Sequence, residues 1–171
     1  MYSGNMGLGH RFEEFLTAAT SAAMDVRFVF AGRGKQRSKV EKFTSEKVEV
    51  LDYVSNSDLA VHLASADVHL VSLEPSWNGS MVPSKLQGIF AIGRPVIFVG
   101  SPSSTIGQWI TESGGGWVIE PDDHKAMKSA IEQACDPAER ACLAEKAAQF
   151  SHDHFNRTAN SQRTASFFTQ S

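Results

Sequence analysis

The chain has 171 residues, of which 42% are hydrophobic and 20% charged, and its formal net charge is −3. That length supports one domain with a real core, and the ordinary, slightly acidic balance gives no reason to expect nucleic acid or an acidic membrane face as partner. No apolar run approaches the roughly 18–20 residues of a membrane span, and the opening residues do not read as a secretion leader.

In chain order, Met1 to Gly4 predicts a strand stub, shorter than the five or six residues (about) that a parallel strand brings, as if the sequence began inside a larger protein. The glycine-rich turn Gly4-Asn5-Met6-Gly7-Leu8-Gly9 follows, and then a helix with Phe12, Phe15, Leu16 and Ala19 on one face. Val26 to Ala31 is a near-continuous apolar run, as buried parallel strands are, and it ends in Gly32-Arg33-Gly34. Lys35 to Ser45 reads as a polar helix and Val48 to Val54 as a shorter, alternating strand. Asn56 or Ser57 is placed to cap a helix holding Leu59, Val61, His62, Leu63 and Ala66. Asp67 to Leu73 is a strand and Glu74 to Gly79 a loop.

Ser80 to Pro95 is the stretch around which the rest is arranged. Leu86, Ile89 and Phe90 recur at helical spacing, Ser84 is a good N-cap, and Gly93 and Pro95 close the segment. Unpaired N–H groups of a first helical turn, with the positive end of the helix dipole, make an anion site. Lys85 puts a cation at that end, where it opposes the dipole unless an anion lies nearby; an ordinary solvated lysine is the competing reading. Beyond it, Val96 to Val99 is a strand, Ile106 to Glu112 a short helix, Gly114 to Gly116 a turn, and Trp117 to Glu120 the last strand. Helices are expected over Asp123 to Ala134, Ala138 to Phe150 and Phe155 to Thr169.

Strands alternating with helices predict an α/β fold: right-handed βαβ units and a Rossmann-like parallel sheet covered on both faces. Ligands of such sheets bind outside the carboxyl ends of the strands. The loops there are glycine-rich, and basic residues stand at three of them: His10 and Arg11, Arg33 and Lys35, and Lys85. The residues alone therefore reach a nucleotide or another phosphorylated ligand. Cys135 and Cys142 form a lone pair without metal-ligand spacing and read as reduced thiols in a cytosolic protein.

Five motifs carry a resemblance through nearly the whole chain. They are the opening loop Tyr2-Ser3-Gly4-Asn5-Met6-Gly7, the strand and turn VRFVFAGRG, the block VLDYVSNSDLAVHLASADVHLVSL, the helix and strand VPSKLQGIFAIGRPVIFVG, and the closing turn GGGWVIEPDDHKAMKSAI. In this order they resemble the C-terminal, donor-binding domain of a GT-B glycosyltransferase of the group 1 (GT4) type. The resemblance implies a three-layer α/β/α domain over residues 1–171 that binds a nucleotide-diphosphate sugar, most simply a UDP-sugar. In the intact enzyme the sugar would pass to a saccharide or lipid-linked acceptor held by an N-terminal domain, in bacterial polysaccharide biosynthesis and on the cytoplasmic side of the membrane. Residues 152–171 would form a last helix packing toward that other domain.

Carried over residue by residue, the resemblance puts the base near Arg33, Gly34 and Lys35 and the backbone of Tyr53 and Val54. It puts the diphosphate on Ser80, Met81, Val82, Ser84 and Lys85, with Gly4 and Asn5 of the first loop beside it. Where the family often has an arginine and a lysine in that loop, Asn5 and His10 stand, so part of the positive charge is missing or has moved to Arg11. Lys85 and His10 are the residues set against the reacting groups. A pair of glutamates frequent in the family is replaced by Ser80 and Gly88, which leaves ribose recognition unassigned. The chain lacks the acidic pair that binds metal in the other large glycosyltransferase fold, so neither metal nor cofactor is expected. A non-catalytic nucleotide-binding module and a sugar-nucleotide epimerase are the alternatives, and for an epimerase only Glu74 and His10 would serve as acid and base.

Other residues have plainer readings. His62 and His69 are expected to be structural, Trp109 and Trp117 to belong to the core, and Glu120 to cap a turn. His152-Asp153-His154 reads as a solvated helix junction, because histidines two apart on a helix diverge. Trp77 reads as packing on the sugar or on the partner domain.

Overall fold

A computed structural model describes residues 1–21, 25–43, 46–80 and 84–155, with the side chains of Ser21 and Ser84 left aside. The strands are β1 (Tyr2–Ser3), β2 (Phe28–Ala31), β3 (Val48–Leu51), β4 (His69–Ser72), β5 (Val96–Val99) and β6 (Gly116–Ile119). The helices are α1 (Glu13–Ser21), α2 (Arg37–Glu41), α3 (Leu59–Ala64), α4 (Ser84–Ala91), α5 (Thr105–Ser113), α6 (His124–Ala134) and α7 (Pro137–His154), with a 3₁₀ turn at Pro75–Trp77. All pairings are parallel and form two three-stranded sheets, β1-β2-β3 and β4-β5-β6.

The two sheets meet at β1 and β4. The Leu70 amide donates to the Met1 carbonyl at 2.8 Å, and the Met1 amino group to the Val68 carbonyl at 2.6 Å. The strands therefore follow the order β3-β2-β1-β4-β5-β6, the doubly wound arrangement whose direction reverses between β1 and β4. Alternation of side chains along the strands builds a core on each face. Leu70, Ile97, Val99 and Ile119 face one way, with Phe12, Phe15 and Leu16 of α1 and Met127 and Ile131 of α6. Val71, Val96 and Phe98 face the other way, with Leu86 and Phe90 of α4, Ile106 and Ile110 of α5 and Ala147 and Phe150 of α7.

Local chemistry explains the boundaries. Ser104 accepts from the Gly107 amide at the start of α5, which stops at Gly114 in the left-handed region. Asp123 and Asp136 cap α6 and α7, the latter with Pro137 in its first turn. Three expectations shift. The cap position of α3 belongs to Asp58 rather than Asn56 or Ser57, and Asp58 makes no capping bond because its carboxylate accepts from the Ser55 hydroxyl at 2.7 Å. Ser84 is the first helical residue of α4 rather than its cap, which lies outside the described residues together with Met81 and Val82. His152, Asp153 and His154 continue α7 for another turn, because Phe155 closes on Phe150 and Trp109, at 5.6 and 4.9 Å between ring centroids. The helix expected beyond Phe155 falls outside the described residues.

Candidate functional site

The loops that leave β1 and β4 flank the point where the strand order reverses, and α4 follows the β4 loop. Lys85, in the first turn of α4, reaches back over β1. Its Nζ donates to the Tyr2 hydroxyl at 2.9 Å and stands 4.4 Å from the centroid of the Tyr2 ring. The Tyr2 hydroxyl in turn donates to the Asn5 carbonyl. Gly4 makes room for the lysine stem: its φ is +134°, and a Cβ there would lie 2.4 Å from the Lys85 Cε. Among the described residues no carboxylate pairs with Lys85, and burial pulls its pKa from the usual 10.5 to about 8. A cation in such a place favours the arrival of an anion, which would restore its charge and satisfy its remaining donors.

His10 lies beside this group, nearly buried, with its ring centroid 5.7 Å from that of Tyr2. Its Nδ1 donates to the Ser72 carbonyl at 2.8 Å, which leaves Nε2 as the bare nitrogen of a neutral ring. Burial, and after it the charge of Lys85, lowers its pKa below 6.5. Arg11 is not a free cation. It donates to the fully buried Glu14 at 2.6 Å and to Asp122 at 2.9 Å, and lies 3.6 Å from Glu74. The Asp122 amide also donates to Glu14 at 3.2 Å, so this carboxylate ties the loop after β6 to the start of α1. Its other oxygen is buried without a hydrogen-bond partner among the described residues.

The loop after β2 is laced to the first one. The Met6 amide donates to the Arg33 carbonyl at 2.8 Å, the Gln36 amide to the Met6 carbonyl at 2.9 Å, and the Gln36 side chain to the carbonyls of Gly7 and His10. Gly34, at φ +146°, permits this closeness, since a Cβ would stand 2.5 Å from the Met6 carbonyl oxygen. Arg33 is turned to Asp52 at 3.1 Å, which Arg37 also engages, and the two arginines hold the Asp52 carboxyl below its usual range. Lys35 is exposed; Tyr53 is exposed at the end of β3, with its hydroxyl 3.5 Å from the Arg33 carbonyl, and Val54 is half-buried.

Of the residues expected from sequence, the structure brings Gly4, Asn5, His10 and Lys85 together around Tyr2. Arg33, Gly34, Lys35, Tyr53 and Val54 stand on the two adjacent loops. Ser80 is exposed after the 3₁₀ turn, its amide bonded to the Trp77 carbonyl at 3.1 Å. Sequence reasoning passed over Tyr2, Gln36 and Glu14. A tyrosine inside an apolar strand is the one available signal, because a buried hydroxyl needs a partner.

Known proteins resemble this chain in sequence and in fold. Residues 1–136 match the family described as glycosyl transferases group 1. The probable glycosyltransferase WbjE of Pseudomonas aeruginosa is 31% identical over 140 residues, covering 79% of this chain and 35% of that protein. The putative colanic acid biosynthesis glycosyl transferase WcaI of Escherichia coli K12 is 28% identical over 141 residues, covering 78% of this chain and 34% of that one. The chain thus spans about a third of the length of these curated relatives. Among solved structures, Anabaena HepE in complex with UDP superposes with a TM-score of 0.77 at 12% identity, over 99% of this chain and 49% of that one. Sucrose-phosphate synthase from Thermosynechococcus elongatus gives 0.76 at 17% identity, over 99% of this chain and 45% of that one. The fold is Rossmann-like α/β, as in one half of the GT-B fold, and the chain belongs to the glycosyl transferases group 1 family.

Proposed function

We propose that this chain is the donor-binding part of a glycosyltransferase and that it holds a nucleotide-diphosphate sugar, UDP-linked, at the carboxyl ends of its strands. The observation that carries the reading is Lys85: a cation shielded from water, without a carboxylate partner among the described residues, at the first turn of α4. The diphosphate would lie on that helix start and on Lys85, beside Ser80, Ser84 and the Gly4-Asn5 turn. The base would lie toward Arg33, Gly34, Lys35 and the backbone of Tyr53 and Val54. In the transfer step the fixed positive end of α4 and the ammonium would stabilise charge that grows on the departing diphosphate, which is electrostatic catalysis and leaves no proton to be moved by this half. The neutral His10, with its bare Nε2, would accept a hydrogen bond from the sugar or its leaving group. The relatives' names and the UDP-bound neighbour support this reading. By the same likeness, the acceptor would be a saccharide or a lipid-linked saccharide presented by a second domain on the cytoplasmic face.

Calorimetry of UDP binding to the parent chain and to Lys85→Ala tests it. The substitution is expected to cost on the order of 1.5–3 kcal/mol, the range for charge-assisted hydrogen bonds. Equal affinity in the two proteins would remove Lys85, and with it the diphosphate site.

A further inference from the structure

The lysine that faces the proposed ligand is held by a residue outside the ligand's reach. Tyr2 is 1% exposed, in a strand of two residues, with its ring edge-on to Phe12 at 4.9 Å between centroids. Its hydroxyl sits between two partners, accepting from Lys85 Nζ and donating to the Asn5 carbonyl. Its ring face lies under the same ammonium. Gly4 leaves the space through which the lysine stem passes. A lysine side chain is otherwise free to swing into water, and its rotamer entropy opposes any one position.

We propose that Tyr2 is a positioning residue for Lys85: ring face and hydroxyl together hold the ammonium charged and in place over the β1 turn, ready for a diphosphate. The ring contributes a cation–π contact, and the hydroxyl accepts a hydrogen bond that is charge-assisted, and so stronger, while the amine is an ammonium. Among the described residues, His10 from the following loop is the titratable group that also faces this position, and Tyr53, just beyond β3, acts on Tyr2. The proposal rests on the reading of Lys85 as a diphosphate ligand, and its test separates the two.

The 171-residue chain is compared with Tyr2→Phe, Lys85→Ala and the double variant. Phenylalanine keeps the ring and its packing on Phe12 and removes only the hydroxyl. Without ligand, the Lys85 Cε resonance, assigned by its loss in Lys85→Ala, is followed by carbon–proton correlation spectra as pH rises. Its midpoint in the parent is expected near 8. In Tyr2→Phe it moves lower by roughly half to one unit, since the lost bond favoured the charged form. With UDP, Tyr2→Phe weakens binding about 3- to 10-fold at a pH above the midpoint and less at pH 6.5, where the ammonium is filled in both proteins. In the Lys85→Ala background it does nothing further. An unmoved Cε midpoint, a binding defect equal at both pH values, or a defect that persists without Lys85 would each overturn the role of Tyr2. UDP affinity unchanged in Lys85→Ala, with the midpoint still moved by Tyr2→Phe, would uphold the contact and bring down the donor reading instead.

Discussion

His69 shows how much a single buried ring can link this fold to pH. It is fully buried at the start of β4, its Nε2 donates to the Leu63 carbonyl at 2.9 Å, and its Nδ1 has no hydrogen-bond partner among the described residues. Burial first, and then the charge of the Met1 amino group, lowers its pKa from 6.5 to about 3. Above the ordinary value the ring is neutral in both the folded and unfolded chain. Below it, the unfolded chain takes up a proton that the folded one refuses, so stability falls as pH drops from 6.5 toward 3. Each pH unit in that window costs up to about 1.4 kcal/mol from this group, and His10 adds in the same direction. Urea unfolding at several pH values should show a shallower acid slope in His69→Gln than in the parent. Identical slopes would mean that the ring is not held neutral.

At the scale of elements, short helices depend on their ends. Ser104 does two things at once: its Oγ accepts from the Gly107 amide at 3.1 Å and donates to the Ser101 carbonyl at 2.7 Å. Asp58 holds the equivalent place before α3 yet caps nothing, and no residue of α3 is buried. Ser104→Ala is therefore expected to cost about 1 kcal/mol, and Asp58→Ala less than about 0.5 kcal/mol, in chemical denaturation. Comparable losses at the two positions would contradict this account of the caps. The contrast also shows why α3 is the less firmly held element: Val61 is 75% exposed and Leu59 41%, so packing does not compensate for the missing cap.

For the whole molecule, the donor site proposed at the strand-order reversal would be one wall of a two-domain site. On the proposed reading a second domain would close over the reacting groups, which would exclude water and fix geometry. In a UDP-release assay with UDP-sugars and lipid-linked acceptors, this chain alone is expected to bind nucleotide weakly and to give no turnover above background. Measurable transfer would show that this chain is sufficient as it stands. On the proposed reading the positive charge for a diphosphate comes from the helix start and Lys85, so UDP titrations in excess chelator and in magnesium should overlay. A tenfold weakening in chelator would reveal a metal requirement.

The order and type of the elements were legible in the sequence, because apolar runs such as Val96 to Val99, the spacing of Phe12, Phe15 and Leu16, and the glycine turns are local patterns tied to local backbone geometry. So was the placing of Gly4, Arg33 and Lys85 at the carboxyl ends of strands. Cap positions slipped where a neighbour competed for the side chain, as Ser55 does for Asp58. What joins the parts was decided only by tertiary structure. Tyr2 meets Lys85 across 83 residues, and Arg11 meets Asp122 across 111. Such contacts exist because β1 is inserted between β2 and β4, and strand order is a property of the assembled sheet that no local pattern encodes.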